Sequence, residues 1–374
     1  MIYFDHNATH PVSATARAAW AEAVERFIGN PSSPHRLGAR SDAALAQARE
    51  KLAGWLGCDP LEIVWTSGAT EAANAVLHDA TLAGMGEVWL SAIEHPCVIE
   101  PARRYFPNAH RLIPVTRDGV VNLAWLAEEL KRNTPSLVAI MAANNETGVL
   151  QPWREALALC RERGVAFFCD AAQWIGKLPV AGLGACDYMT GSAHKIGGPQ
   201  GVGFLKCPAK LHPLLTGGPQ EEGRRAGTEN VAGVLAMVAA LEEREAALAN
   251  GEAVRRLALR VNFEQQLARE LPGVEIVGAA ADRLWNTVSA VLPEQPDCRQ
   301  RWVVKLDKLG FAVSTGSACA SGKEETSHVL AAMGRAAVAS RVLRFSSGWE
   351  TSAADWDALR LGLGQAIAVS EKSV

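Results

Sequence analysis

Between Ser13 and Ala249 the chain alternates two hydrophobic periods, and few folds accommodate that alternation. Trp20, Ala23, Val24, Phe27 and Ile28 recur at helical spacing, with Ser13 placed to cap the helix and Gly29 to stop it. Leu45, Ala48, Leu52, Trp55 and Leu56 repeat the pattern as far as Gly57. Short apolar runs then fall at 63–65, 88–90, 137–141, 165–169 and 202–205, several of them separated by helical stretches. Apolar strands joined by helices predict an α/β fold with a mostly parallel sheet covered on both faces. In such sheets ligands gather beyond the carboxyl ends of the strands, so the polar residues at those ends are the ones to weigh.

After a helix expected over 230–248, Asn250-Gly-Glu252 reads as a domain boundary. Helices are expected near 253–270, 299–309 and 353–369, and strands at 274–277, 288–292, 312–314 and 342–345. That pattern is a smaller α+β unit. The expected division is a large domain over 13–249 and a small one formed by 1–12 and 250–374. A net charge of −3 gives no electrostatic case for nucleic acid or an anionic membrane, and no apolar run is long enough to span a bilayer. The N-terminus, Met1-Ile-Tyr-Phe-Asp5, shows no basic or apolar leader, so a cytoplasmic location is expected. The eight cysteines form no Cys-x-x-Cys pair and most sit in apolar company, which predicts buried reduced thiols and no metal cage.

Three strand ends carry residues with chemical potential. Thr66-Ser-Gly-Ala-Thr-Glu71 is a glycine-bearing turn feeding a helix, readable as a phosphate cradle or as an ordinary capped turn. Asp170 ends the apolar strand Phe167-Phe-Cys-Asp170, either to cap the next helix or to face a buried cation such as a protonated pyridine nitrogen. Lys195 lies in Thr190-Gly-Ser-Ala-His-Lys-Ile-Gly-Gly-Pro199, flanked by Ser192 and His194 as phosphate donors. A lysine there is either solvated or, if burial lowers its pKa, able to form a Schiff base. In this order, a phosphate cradle, a strand-end Asp and a Lys loop are the parts that a pyridoxal-phosphate site requires.

Nine separated motifs then occur in one order: Gly29-Asn-Pro-Ser-Ser-Pro-His35, Thr66-Ser-Gly-Ala-Thr-Glu71, Glu94-His95-Pro96, Asn144-Asn-Glu-Thr-Gly148, Asp170-Ala-Ala-Gln173, Ser192-Ala-His-Lys195, Arg224-Arg-Ala-Gly-Thr-Glu-Asn230, Ser317-Ala-Cys319 and Arg344-Phe-Ser346. With them the chain resembles, nearly end to end, the cysteine desulfurases of the class V aminotransferase family, in the NifS/IscS-like branch with a long mobile loop. The resemblance implies a fold-type I pyridoxal-phosphate-dependent transferase, a sulfurtransferase that converts L-cysteine to L-alanine and carries the sulfur as a persulfide on Cys319.

Residue by residue, the resemblance implies that Lys195 holds pyridoxal 5'-phosphate and shuttles protons. Asp170 pairs with the ring nitrogen, Gln173 bonds the phenolic oxygen, and His95 stacks on the ring and joins the acid–base steps. Ala69, Thr70, Ser192 and His194 hold the phosphate, and Thr228 reaches it from the partner subunit of a homodimer. Arg344 clamps the substrate carboxylate, helped by Asn145, which also lies against the cofactor, and by Asn30. Cys319 sits in Ser314-Thr-Gly-Ser-Ala-Cys-Ala-Ser-Gly-Lys323, a run too small in side chain to pack a core, and the loop expected over about 315–327 swings between cofactor and acceptor. The acceptor implied is an Fe–S scaffold or a thiolation enzyme, and Cys319 is able to ligate a cluster transiently there.

The chain departs from the family at His6 and His10 of Asp5-His-Asn-Ala-Thr-His-Pro11, at Trp349 where arginine is common, and at Gly217-Gly-Pro219. Rival readings are a selenocysteine lyase or a small-molecule aminotransferase of the same superfamily, a non-catalytic scaffold, and a cysteine-ligated metal protein. Cys319 argues against the aminotransferase, and intact Lys195, Asp170 and His95 argue against the scaffold.

Overall fold

The computed structural model describes residues 1–293, 299–316 and 327–371. A short strand β1 (Ile2–Tyr3) precedes helices α1 (Ala14–Arg26) and α2 (Arg36–Leu56). Ser13 caps α1 by accepting from the Ala16 N–H at 3.1 Å, and Gly57 closes α2 in the left-handed region at φ 76°. Gly29 does not stop α1, which ends earlier on Phe27. Its task is close approach: a Cβ there would lie 2.4 Å from the Leu37 carbonyl carbon. The apolar spacing of α1 does not mark a buried face either. Ala23 is buried, but Trp20, Val24 and Ile28 are 50, 54 and 71% exposed.

Strand and helix then alternate through β2 (Ile63–Thr66), α3 (Ala69–Leu82), β3 (Val88–Ser91), α4 (Pro96–Tyr105), β4 (His110–Ile113), α5 (Leu123–Arg132), β5 (Leu137–Ala139), α6 (Trp153–Arg161) and β6 (Ala166–Asp170). Strands β7 (Tyr188–Ser192) and β8 (Gly203–Lys206) and helix α7 (Val231–Ala249) complete the run. Among the described residues these strands form a seven-stranded sheet in the order β2-β8-β7-β6-β5-β3-β4. The contiguous strands from β7 to β4 pair in parallel, while β8 runs antiparallel to both β2 and β7. The sheet is therefore mostly parallel, as the apolar runs predict. Successive residues of β6 serve opposite faces: Phe167 and Cys169 join a core with Trp89 and Trp153, and Phe168 joins one with Val76 and Leu90. Because β2, β3, β6 and β7 point the same way, Thr66, Ser91, Asp170 and Ser192 all end at one edge.

Beyond α7 lie α8 (Glu252–Glu270), β9 (Glu275–Ile276), β10 (Thr287–Val291), α9 (Arg299–Lys308), β11 (Phe311–Ala312), α10 (His328–Ala332), β12 (Val342–Ser346) and α11 (Ala353–Glu371). Strands β12, β10 and β9 form an antiparallel sheet around a separate core that includes Phe263, Val288, Trp302, Phe345 and Trp356. The N-terminus belongs here. β1 pairs in parallel with β11, and fully buried Phe4 fills the same core, a contribution of about 1.5–3 kcal/mol for one such side chain. Residues 5–10 then cross from this sheet to the carboxyl edge of the large one, where the Asn7 and Ala8 carbonyls accept hydrogen bonds from Lys195.

Among the described residues Cys97, Cys160, Cys169, Cys186 and Cys207 are buried and free, and Cys58 is half-buried and free. Cys298 and Cys319 lie outside the described residues. No described helix is long and apolar enough to cross a membrane.

Candidate active site

At the end of β2 the chain turns through Ser67 and Gly68 into α3. Gly68 sits at φ 152° as the N-cap, with no side-chain cap bond, so Ala69 and Thr70 present the helix's first N–H groups outward. Ser192, from the end of β7, lies beside the turn: a Cβ on Gly68 would meet its Oγ at 3.5 Å. Behind the turn, a Cβ on Gly203 would fall 2.7 Å from the Gly68 Cα, so β8 needs glycine there for the turn to sit down. Glu71 accepts from Ser67 N–H at 2.8 Å and pairs with Arg225 at 2.9 Å. A positive helix end, an adjacent hydroxyl and a nearby guanidinium make an anion cradle.

Across the edge, three titratable groups act on one another. Asp170 is buried at the end of β6, and Oδ1 accepts from the Ala172 N–H at 3.0 Å. Burial raises its pKa, against the pull of that hydrogen bond and of His95 and Lys195. His95 caps α4, its Nδ1 accepting from the Cys97 N–H at 3.1 Å, which puts the proton of the neutral ring on Nε2. Burial lowers its pKa, Asp170 raises it, and Lys195 and His328 lower it again. Lys195 donates to the Asn7 and Ala8 carbonyls at 2.7 and 2.8 Å. Burial and then Arg344 bring its pKa down to about 8, so a neutral amine is accessible near neutral pH. His194 follows the same logic, burial and Lys195 lowering it to about 4, while its Nδ1 meets Thr9 Oγ1 at 3.2 Å.

Residues 5–8 tie these groups to the second sheet. The Asn7 side chain donates to the Asn145 carbonyl at 3.2 Å and to Thr287 Oγ1 at 2.9 Å, and accepts from Asn286 and Lys177. Gln173 donates to the Asn7 carbonyl at 2.9 Å and accepts from Lys177. Arg344, buried on β12, donates to the Asn145 carbonyl at 2.9 Å and pairs with Asp5 at 2.6 Å. Asn145 thus works here through its backbone carbonyl. Asn7, Lys177 and Asp5 are site residues that spacing does not single out. Lys177 has a signal in hindsight, since a lysine within Trp174-Ile-Gly-Lys-Leu178 must find buried partners. Burial holds its pKa well below the ordinary lysine value.

Glu94, fully buried, accepts from Ser91 Oγ at 2.6 Å and from the Met141 N–H at 2.7 Å. Burial moves its pKa up to about 8, so it is a neutral brace behind His95 at neutral pH. Asn30 and Thr228 are exposed on loops, with Asn30 Oδ1 occupied by the Ser32 N–H at 2.9 Å. Within the single chain the described contacts do not bring either to Lys195. Cys319 lies outside the described residues, but both flanks of that stretch are placed. The Gly316 carbonyl accepts from Arg344 at 3.3 Å, and Ser327 donates to Glu146 at 2.6 Å, beside Asn145.

Comparison with known proteins gives the family and the fold. The sequence profile of the family described as Aminotransferase class-V matches residues 2–359. A protein of Trichormus variabilis named cysteine desulfurase 2 is 37% identical over 89% of this chain and 84% of its own. A solved structure described as a NifS-like protein superposes with a TM-score of 0.89 at 30% identity, covering 98% of this chain and 99% of that one. Another, SspA in complex with cysteine, gives a TM-score of 0.80 at 28% identity, over 92 and 98% of the two chains.

Proposed function

The chain belongs to the class-V aminotransferase family, and from that premise we propose that it is a cysteine desulfurase that uses pyridoxal phosphate to convert L-cysteine to L-alanine and passes the sulfur to Cys319. The observation that carries this reading is the meeting of Lys195, Asp170 and Arg344 at one edge, with Gly316, three residues before Cys319, hydrogen-bonded to Arg344.

The residues fit the cofactor. The open N-terminus of α3, Ser192 and His194 suit its phosphate, and a protonated ring nitrogen would stabilise the charge of buried Asp170, whose pKa burial raises. Gln173 and His95 stand on the same edge for the phenolic oxygen and the ring face. Bound there, pyridoxal phosphate supplies an electron-withdrawing ring that stabilises negative charge on a substrate's carbon skeleton.

The chain's own groups do the rest. Arg344 takes the substrate carboxylate in bidentate fashion, exchanging its Asp5 contact for it. Lys195, whose pKa lowered to about 8 leaves a fraction of the amine neutral near neutral pH, anchors the cofactor and moves protons at the substrate's α-carbon. The Cys319 thiolate attacks the substrate sulfur. The S–S bond forms as the Cβ–S bond breaks, and the carbon keeps the bonding pair and gains a proton. Alanine and a persulfide result with no external oxidant. An acceptor protein, an Fe–S scaffold or a thiolation enzyme in the cytoplasm, then takes the sulfur.

The two sheets with their separate cores support a division into a large domain over 13–249 and a small one from 1–12 and 250–374. Exposed Trp20, Val24 and Ile28 support a homodimer in which Thr228 completes the partner's phosphate cradle. Mixed dimers pairing Lys195→Ala with Thr228→Ala should recover activity in one of their two sites, and a fully active monomer would rule the arrangement out. For the activity, holoenzyme given L-cysteine and a thiol reductant should release alanine and sulfide in equal amounts. Transfer of the amino group to a keto acid without sulfide would instead make it an aminotransferase.

A further inference from the structure

His6, His10 and Trp349 stand apart in the sequence as departures from the family, and the fold gathers all three at one place. His6 and His10 lie at 5 and 6% exposure on the segment that also carries Asn7 and Ala8, and their rings pack edge to face at 4.8 Å. Glu350 follows Trp349 and brings a 62% exposed side chain to them, with Oε2 3.4 Å from His10 Nε2.

The backbone fixes which ring nitrogen is available. His6 Nδ1 lies 3.0 Å from the Ser346 carbonyl and His10 Nδ1 lies 2.7 Å from the Pro11 carbonyl. A carbonyl only accepts, so each neutral ring must carry its proton on Nδ1 and its lone pair on Nε2. A carbonyl behind Nδ1 is the usual outer-shell support of a metal-binding imidazole. His10 Nε2 is buried and has no hydrogen-bond partner among the described residues. One ligand atom from each of His6, His10 and Glu350 lies within 4.8 Å of the others. Ligands on a tetrahedral ion with bonds of about 2.0–2.1 Å stand about 3.3 Å apart, which the His10–Glu350 separation already matches. Gly348 lets the His6 ring lie against the backbone, for a Cβ there would fall 2.2 Å from His6 Nε2.

We propose that His6, His10 and Glu350 form a binding site for a zinc-like divalent transition ion, its remaining coordination filled by water from the exposed side of Glu350.

Imidazole with carboxylate suits such an ion rather than calcium or magnesium. The cations nearby are accounted for. Arg244 meets the other Glu350 oxygen, Oε1, at 3.4 Å and is also paired with Glu243 at 3.2 Å, while Lys177 is held well below its ordinary pKa. The ligands stand at positions 6, 10 and 350, so no local spacing motif reveals them, and the sequence alone predicts no metal.

The test is equilibrium dialysis of chelator-treated holoenzyme against Zn2+ and, separately, Co2+, read by elemental analysis and by Co2+ absorption in the visible. The parent protein should bind one more ion per chain than a His6→Gln/His10→Gln double variant, which controls for thiol-bound metal. Glu350→Gln, a change at an exposed side chain that leaves the core untouched, should weaken that ion by at least about 10-fold, and loss of either imidazole should weaken it by about 100-fold or more. Circular dichroism and cofactor absorbance should be unchanged in Glu350→Gln. Equal binding by the parent, Glu350→Gln and double-variant proteins, or no binding by the parent at millimolar ion, overturns the site.

Discussion

Cys319→Ser is expected to bind pyridoxal phosphate and L-cysteine as the parent protein does, yet to lose alanine and sulfide production together by at least about a thousandfold. The joint loss follows from the proposed chemistry, because both products depend on one nucleophilic attack at the substrate sulfur. Lys195, Asp170 and Arg344 stand in described structure and on the proposed reading serve cofactor and substrate binding, but none of them is a nucleophile for sulfur. Three of the described thiols are poorly suited. Burial raises Cys97 well above the ordinary thiol pKa, and Cys160 and Cys207 up to about 12 and about 11. Mass spectrometry of a digest after cysteine treatment without reductant should find one added sulfur on the Cys319 peptide. A persulfide confined to another cysteine, or full turnover by Cys319→Ser, would falsify the assignment.

Lys195→Ala is expected to remove the borohydride-reducible link between protein and cofactor and to depress turnover by about a thousandfold or more, the upper part of the range for a lost general acid–base group. The variant leaves the Asn7 and Ala8 carbonyls without the donor they have at 2.7 and 2.8 Å, so folding should be checked by circular dichroism. Lys177 is the natural challenger. It is a buried lysine near enough for Lys195 to lower its pKa, but the Asn7 and Gln173 side chains both accept from it. A reduced cofactor–lysine adduct persisting in Lys195→Ala and mapping to Lys177 would transfer the role.

Local patterns revealed the groups whose position follows from a strand end. Asp170 closes an apolar run in a mostly parallel sheet, Lys195 follows the next strand, and Gly68 opens a helix, so their shared edge was readable before any coordinate. Residues whose work depends on distant partners were not readable this way. Asn7 becomes a hub only because β1 pairs with β11 and carries the first residues across to the large sheet. Asp5 and Lys177 gain their roles through the same crossing. Spacing found the helix α1 but not its exposure: a helical apolar period marks a face that needs cover, and a single chain does not cover Trp20 or Val24. β4 was missed because it is an edge strand: Leu112 is 45% exposed and His110 and Arg111 break its apolar run.

The crossing of the first ten residues also bears on how the protein is made. The Asn7 N–H is bound by Ser346 Oγ at 3.0 Å, a contact between positions 339 apart in the chain. During synthesis the large sheet has emerged long before Ser346 leaves the ribosome, so a nascent chain can hold Lys195 and Asp170 in place while the segment that presents Asn7 is still untethered. Contacts of such long range form late. Catalytic competence is therefore expected to arrive as the last event of maturation, after the C-terminal strand is released, and an incomplete chain would hold Lys195 and Asp170 without the tethered Asn7 segment.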